Sequence, residues 1–158
     1  MLNIKSEKVL LSKKISVYHH FLCNLNNYKD LFPQDKISNW KSDENFCSLK
    51  IQNVYTLEMI KENVSENCIE IKSGKSSPFK FKINIELTED MNQQCSAQIN
   101  CKANLSPALK IMVGKPLNEL FNYMADQIEK SIKVGWSLLI YSIWHIHYLI
   151  VKAVLHLH

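Results

Sequence analysis

FKFKINIELT (residues 79–88) and CSAQINCKANL (residues 95–105) decide how this chain folds. In the first, Phe79, Phe81, Ile83, Ile85 and Leu87 alternate with Lys80, Lys82, Asn84, Glu86 and Thr88. In the second, Cys95, Ala97, Ile99, Cys101, Ala103 and Leu105 alternate with polar residues. Side chains on a strand point to opposite faces in turn, so each segment predicts a strand with one apolar and one wet face. Glu89 to Gln93 supplies the hairpin between them. Downstream the period changes. Leu109, Met112, Val113, Leu117, Leu120, Phe121, Met124 and Ile128 recur every three or four residues and mark one stripe of a long helix. A half-wet antiparallel sheet followed by such a helix predicts a sheet curled around it.

Upstream, residues 2–11 predict a first strand. Ser12 is placed to cap a helix from Lys13 to about Asn24, with Ile15, Tyr18, Phe21 and Leu22 inward. A second short helix, about Asn27 to Leu31, must stop before Phe32-Pro33, because the residue before proline avoids the helical region. Residues 36–41, 46–51, 54–62 and 68–72 each read as a strand. The fold class is α+β: a curved antiparallel sheet of about seven strands around a C-terminal helix, with two short helices after strand 1. Gly114 and Pro116 interrupt the helical pattern and predict a kink or break. Either a short helix at 107–113 precedes the main one, or a single helix bends there.

A chain of 158 residues is one domain by default and can bury a real core. The net charge of +4 comes from lysines spread among acids, which argues against a nucleic-acid partner. Cys23, Cys47, Cys68, Cys95 and Cys101 are odd in number and form no Cys-x-x-Cys pair. They read as reduced core thiols in a cytoplasmic protein.

Several segments together resemble a known superfamily. They are Phe21 to Tyr28 leading to Leu31-Phe32-Pro33, Ile37-Ser38-Asn39-Trp40, Ser77-Pro78-Phe79-Lys80-Phe81, Ala103-Asn104-Leu105-Ser106-Pro107, and Lys115-Pro116-Leu117 through Ala125-Asp126-Gln127. Over about residues 1–130 the chain resembles the START-like superfamily, also called SRPBCC, birch-pollen-allergen-like or polyketide cyclase-like. Small bacterial members of unknown function are the nearest in character. The resemblance implies a helix-grip fold with a deep cavity between sheet and long helix. It implies binding of lipids or other hydrophobic molecules, and in some members cyclase or dehydratase chemistry. It carries over no catalytic residue, because no single motif spans the superfamily.

The candidate ligand-binding residues are Tyr55, Leu57, Met59, Phe81, Ile83, Ile85, Ala97, Ile99, Leu117, Phe121 and Met124. They would line an apolar pocket in the usual ligand-site range of roughly 300–1,000 Å³; the bland alternative is a filled core. An enzyme would need inward polar groups, and the candidates are Tyr18, His19, His20, Tyr55, Glu58 and Tyr123. Glu58 falls between Leu57 and Met59 and is expected to face water. His145-x-His147 and His156-x-His158 have poor helical spacing for a shared metal. No phosphate loop, nucleophile elbow, metal site or cofactor motif emerges. The expected function is therefore non-enzymatic carriage of a hydrophobic small molecule or lipid. A cyclase or dehydratase, and an interaction module with a filled core, are the alternatives.

The pattern divides the chain into a domain at 1–132 and an apolar tail at 133–158. Val134 to Val151 contains no Lys, Arg, Asp or Glu, near the minimum for crossing a bilayer. Lys130 and Lys133 before it would suit anchoring at the cytoplasmic face of a membrane. The competing readings are a packed or self-associating helix and a stretch foreign to the domain, appended by a shifted reading frame.

Overall fold

The computed structural model describes the backbone of residues 1–155 and the side-chain surroundings of residues 1–132 and 142–153. The elements are β1 (Leu2–Lys5), β2 (Val9–Leu11), α1 (Ile15–Leu22), a 3-10 helix (Leu25–Leu31), β3 (Ile37–Ser42), β4 (Phe46–Ile51), β5 (Tyr55–Ser65), β6 (Cys68–Ser73), β7 (Lys80–Glu89), β8 (Cys95–Asn104) and α2 (Pro107–Leu155). The order β1-β8-β7-β6-β5-β4-β3 makes an antiparallel eight-stranded sheet, with β2 pairing β8 beyond β1. The sheet curves, and α2 packs on it. This is the α+β arrangement of a sheet curled around a helix that the alternation predicts, and the helix-grip order that the resemblance implies.

The first strand differs from expectation. Residues 2–11 form two short strands on β8 rather than one. Ser6 lies between them, with its N–H donating to Ile99 O and its hydroxyl accepting from Ile99 N–H, both at 2.9 Å. A buried polar side chain has replaced one rung of the ladder, which breaks the strand without orphaning the backbone. α1 also starts later than expected. Ser12 does not cap it. Lys14 occupies the cap position with no side-chain bond, because the Ser12 hydroxyl is committed to Glu129 on α2. Asn24 does cap the following 3-10 helix, accepting from Asn26 N–H at 3.0 Å.

The long hairpin is in full register from Lys80↔Asn104 to Glu89↔Cys95. Its inner row pairs Phe81 with Ala103, Ile83 with Cys101, Ile85 with Ile99 and Leu87 with Ala97, all buried. Each large side chain in that row, Phe81, Ile83, Ile85, Leu87 and Ile99, contributes roughly 1.5–3 kcal/mol by leaving water. The β4–β5 turn places Gln52 and Asn53 at φ of 52° and 57°, with Val54 N–H donating to Ile51 O at 3.0 Å. Two left-handed central residues match the twist of the flanking strands. Pro116 sits inside one continuous α2, so the two-helix version of the break at Gly114–Pro116 does not occur. Proline lacks an N–H, and its exposed position leaves the freed carbonyl to water.

Phe121, Met124, Ala125, Ile128 and Ile132 form the buried stripe of α2. Tyr18, Leu22, Leu25, Tyr28, Leu31 and Phe32, from the two short helices, complete the core. All five cysteines are free, with Cys47, Cys95 and Cys101 buried. Beyond the domain α2 continues without cover: Ile143, Trp144, Ile146, Tyr148, Leu149, Ile150 and Val151 are exposed.

Candidate functional site

The sheet has two ends of different character. The β3–β4, β5–β6 and β7–β8 turns, with the start of α1, lie at one end. The β4–β5 turn, the β6–β7 loop and the start of α2 lie at the other, as the registers require.

At the first end, Glu129 reaches from α2 into a knot of hydroxyls. It accepts from the Ser12 hydroxyl, from the Tyr18 hydroxyl and from Ser12 N–H at 3.3 Å. The Tyr18 hydroxyl oxygen in turn accepts from Lys13 N–H at 3.2 Å. Burial, then the bond to Glu129, raises the Tyr18 pKa above its ordinary value. Beside this knot lies an open hollow of about 880 Å³, lined by Ser12, Lys13, Lys14, Glu89, Gln94 and Glu129 among others. The sequence reading missed Glu129. Its signal is position: it falls one helical turn after buried Ala125 on the inward stripe, where a carboxylate needs partners.

Between the two ends the interior is apolar, and toward the second end it is partly uncovered. Met59, Phe81, Ile83, Ile85, Ala97, Ile99, Phe121 and Met124 are buried in one cluster. Leu57 and Leu117 pack against that cluster half-buried, as do Phe79, Val113 and Leu120. Tyr55 stands 52% exposed at the start of β5. Ten of the eleven candidate residues thus belong to the interior or its margin, and Tyr55 lies at the rim. A second hollow, about 700 Å³, opens beside the β6–β7 loop and reaches Phe79 and Phe81.

Glu58 anchors that loop. Its carboxylate accepts from Ser76 N–H at 2.9 Å, and its backbone bonds Gly74 and Ser77. It faces away from the interior row, as the alternation implies. Its role is to fix the loop. A Cβ on Gly74 would come within 2.4 Å of Glu58 Oε2 and 2.6 Å of its Cβ, so only glycine fits.

The remaining polar candidates do not converge. His20 is exposed, and His19 Nε2 donates to Ser65 O, 2.6 Å away, on the strand-turn side. Tyr123 is largely outside the core. Among the described residues no buried side-chain nitrogen or oxygen lacks a partner, and no His, Cys, Asp or Glu group is set to hold a metal. His145 and His147 are exposed on the distal part of α2, while His156 and His158 lie outside the described residues. Among the described residues no helix is long and apolar enough to cross a membrane; the side chains of 133–141, within the 134–151 stretch, lie outside that description.

No protein-family model and no curated protein matches this chain. Solved structures do. A conserved protein from Geobacillus kaustophilus superposes with a TM-score of 0.65 at 13% identity, covering 85% of this chain and 97% of the other. The protein XoxI from Bacillus cereus gives 0.66 at 10% identity, with 84% and 96% covered. A START superfamily protein from Mycobacterium smegmatis gives 0.59 at 12% identity, with 83% and 97% covered. At such identities the likeness is one of backbone architecture: the chain has the START-like helix-grip fold.

Proposed function

We propose that the protein binds and carries a hydrophobic small molecule or lipid between the inner face of the sheet and α2, without chemistry. Met59, Phe81, Ile83, Ile85, Ala97, Ile99, Phe121 and Met124 would contact the guest, and Tyr55, Leu57 and Leu117 would form its entrance. One observation carries this reading. The apolar interior is tied by hydrogen-bonded polar groups at the Glu129 end, and at the α2 start its margin is made of half-buried Leu57, Phe79, Val113, Leu117 and Leu120. No buried polar atom lacks a partner among the described residues, so a guest lying against the aliphatic and aromatic rows would meet no unpaired donor or acceptor there. That composition favours an apolar guest. The resemblance to the START-like superfamily implies the same class of ligand. The five free thiols support a reducing, cytoplasmic setting.

Native mass spectrometry of the purified chain, before and after delipidation, tests carriage. The expected result is a co-purifying apolar species that is lost on delipidation and regained from a lipid extract. Leu117→Asp should cut recapture sharply while leaving the fold intact, since this half-buried side chain can turn its charge to water. Repeated preparations with no bound species and no uptake would overturn the proposal.

A second reading, docking through the distal part of α2, is favoured by the exposed run Ile143 to Val151, where Trp144 is 73% exposed. It would make residues 1–132 the binding domain and the tail a contact element, either to a second chain or to the cytoplasmic face of a membrane.

A further inference from the structure

Register builds on the outer face a feature that the sequence scatters. Lys72 on β6 stands opposite Lys82 on β7, and Lys82 stands opposite Lys102 on β8. Like charges directly opposite on neighbouring strands repel and cost stability. One carboxylate serves the row: Glu62 meets Lys72 at 3.4 Å and Lys82 at 3.3 Å. Lys102 has no ion pair among the described residues, and Lys75 and Lys80 add two further cations at the row's end. All five lysines line the hollow of about 700 Å³ beside the β6–β7 loop, and no acidic side chain lines it. Its apolar part is Phe79 and Phe81, edge to face with ring centroids 6.0 Å apart. Phe81 belongs at once to this lining and to the buried core. A cationic rim therefore meets the apolar interior at one side chain.

We propose that this hollow binds the anionic head group of an amphiphile, a carboxylate or a phosphate, whose apolar body enters past Phe79 and Phe81. The proposal rests on the carriage reading and narrows its ligand class. Lysine ammonium groups are mobile point charges that suit either oxyanion, and Lys72 and Lys82 are already positioned by Glu62. A bound anion would relieve the repulsion along the row, so binding and sheet stability are coupled through the same charges.

The test uses the delipidated full chain and calorimetric titration with decanoate, decyl phosphate and decanol, each as monomer. The anions should bind about tenfold tighter than decanol at low salt, with the preference shrinking as salt screens the lysines. The triple change Lys75→Gln, Lys80→Gln, Lys102→Gln should remove that preference and leave decanol affinity in place. A matched triple change at exposed Lys8, Lys29 and Lys41 should keep it, which separates a local site from net charge. Co-sedimentation with phosphatidylglycerol and phosphatidylcholine vesicles distinguishes sources. Retention on the former alone, lost in the first triple variant, assigns the head group to a bilayer lipid; tight binding of the monomeric anions assigns it to a free amphiphile. Equal affinity for anions and decanol, unchanged by the triple variant and without vesicle preference, overturns the head-group site and leaves carriage standing. Failure of every ligand and vesicle to bind overturns both.

Discussion

The two ends of the curved sheet use the same strands for opposite purposes. At the end holding Ser12, Tyr18 and Glu129, α2 is tied to the β2–α1 connection by charge-assisted hydrogen bonds. At the end holding the β6–β7 loop, α2 begins with Leu109, Ile111 and Met112 exposed, Ile111 by 86%. The helix is one element, yet its restraint is polar and specific at one end and loosely apolar at the other. Polar knots fix a unique geometry because an unmade bond in a buried place is costly. Half-buried aliphatic contacts can part and re-form at little cost. The carriage proposal needs both: an end that holds its geometry and a margin that can part.

Truncations on α2 test that contrast most directly. Glu129→Ala removes one acceptor from three donors and should cost about 2–4 kcal/mol, because the Ser12 and Tyr18 groups remain in place without it. Leu117→Ala, on the same helix, should cost about 1 kcal/mol, since its side chain is only half-buried. Urea unfolding of the two variants measures both. Similar losses would mean that the ends are equally restrained and would break the comparison.

Gly74→Ala probes the open end with a smaller effect. The added methyl would collide with the Glu58 side chain that holds Ser76, so the loop must shift. The expected loss is about 1–2 kcal/mol, with faster hydrogen exchange confined to the β6–β7 loop and the start of α2. Exchange that instead spreads to the Ser12–Glu129 end would show that the two ends are mechanically coupled.

The contrast also explains what the sequence made legible. Strict alternation at 79–88 and 95–105 specified the central hairpin, since a one-residue slip would turn every apolar side chain to water. The stripe from Leu117 to Ile128 specified the packed part of α2. Ser6, Ser12 and Glu129 were not legible, because each acts through a partner roughly a hundred residues away that no local pattern names. The lysine row was hidden for the same reason: Lys72, Lys82 and Lys102 become neighbours only when three strands pair. Tyr55 carries the right parity for the interior but sits too close to the β4–β5 turn to be covered.

The smallest effect concerns pH, and it asks how dry the middle of the molecule is between the two ends. Burial raises the thiol pKa of Cys47 and Cys101 from 9.0 to about 12. It also lifts Tyr28 well above 10.0. In each case burial disfavours the ionised form, so the folded state holds its proton more tightly than the unfolded state. The stabilisation is complete below the unfolded values, near pH 9 to 10, and is lost as pH rises toward the folded ones. Stability should therefore decline across about pH 9 to 12. At neutral pH the same burial predicts that half-exposed Cys23 and Cys68 react with a thiol reagent before Cys47 and Cys101. Peptide mapping after brief labelling reads the order. Cys47 and Cys101 lie on the inner face, Cys47 opposite Met59 and Cys101 opposite Ile83. If they label as fast as the outer pair in the native chain, water already fills the interior, and the open end admits solvent rather than an apolar guest.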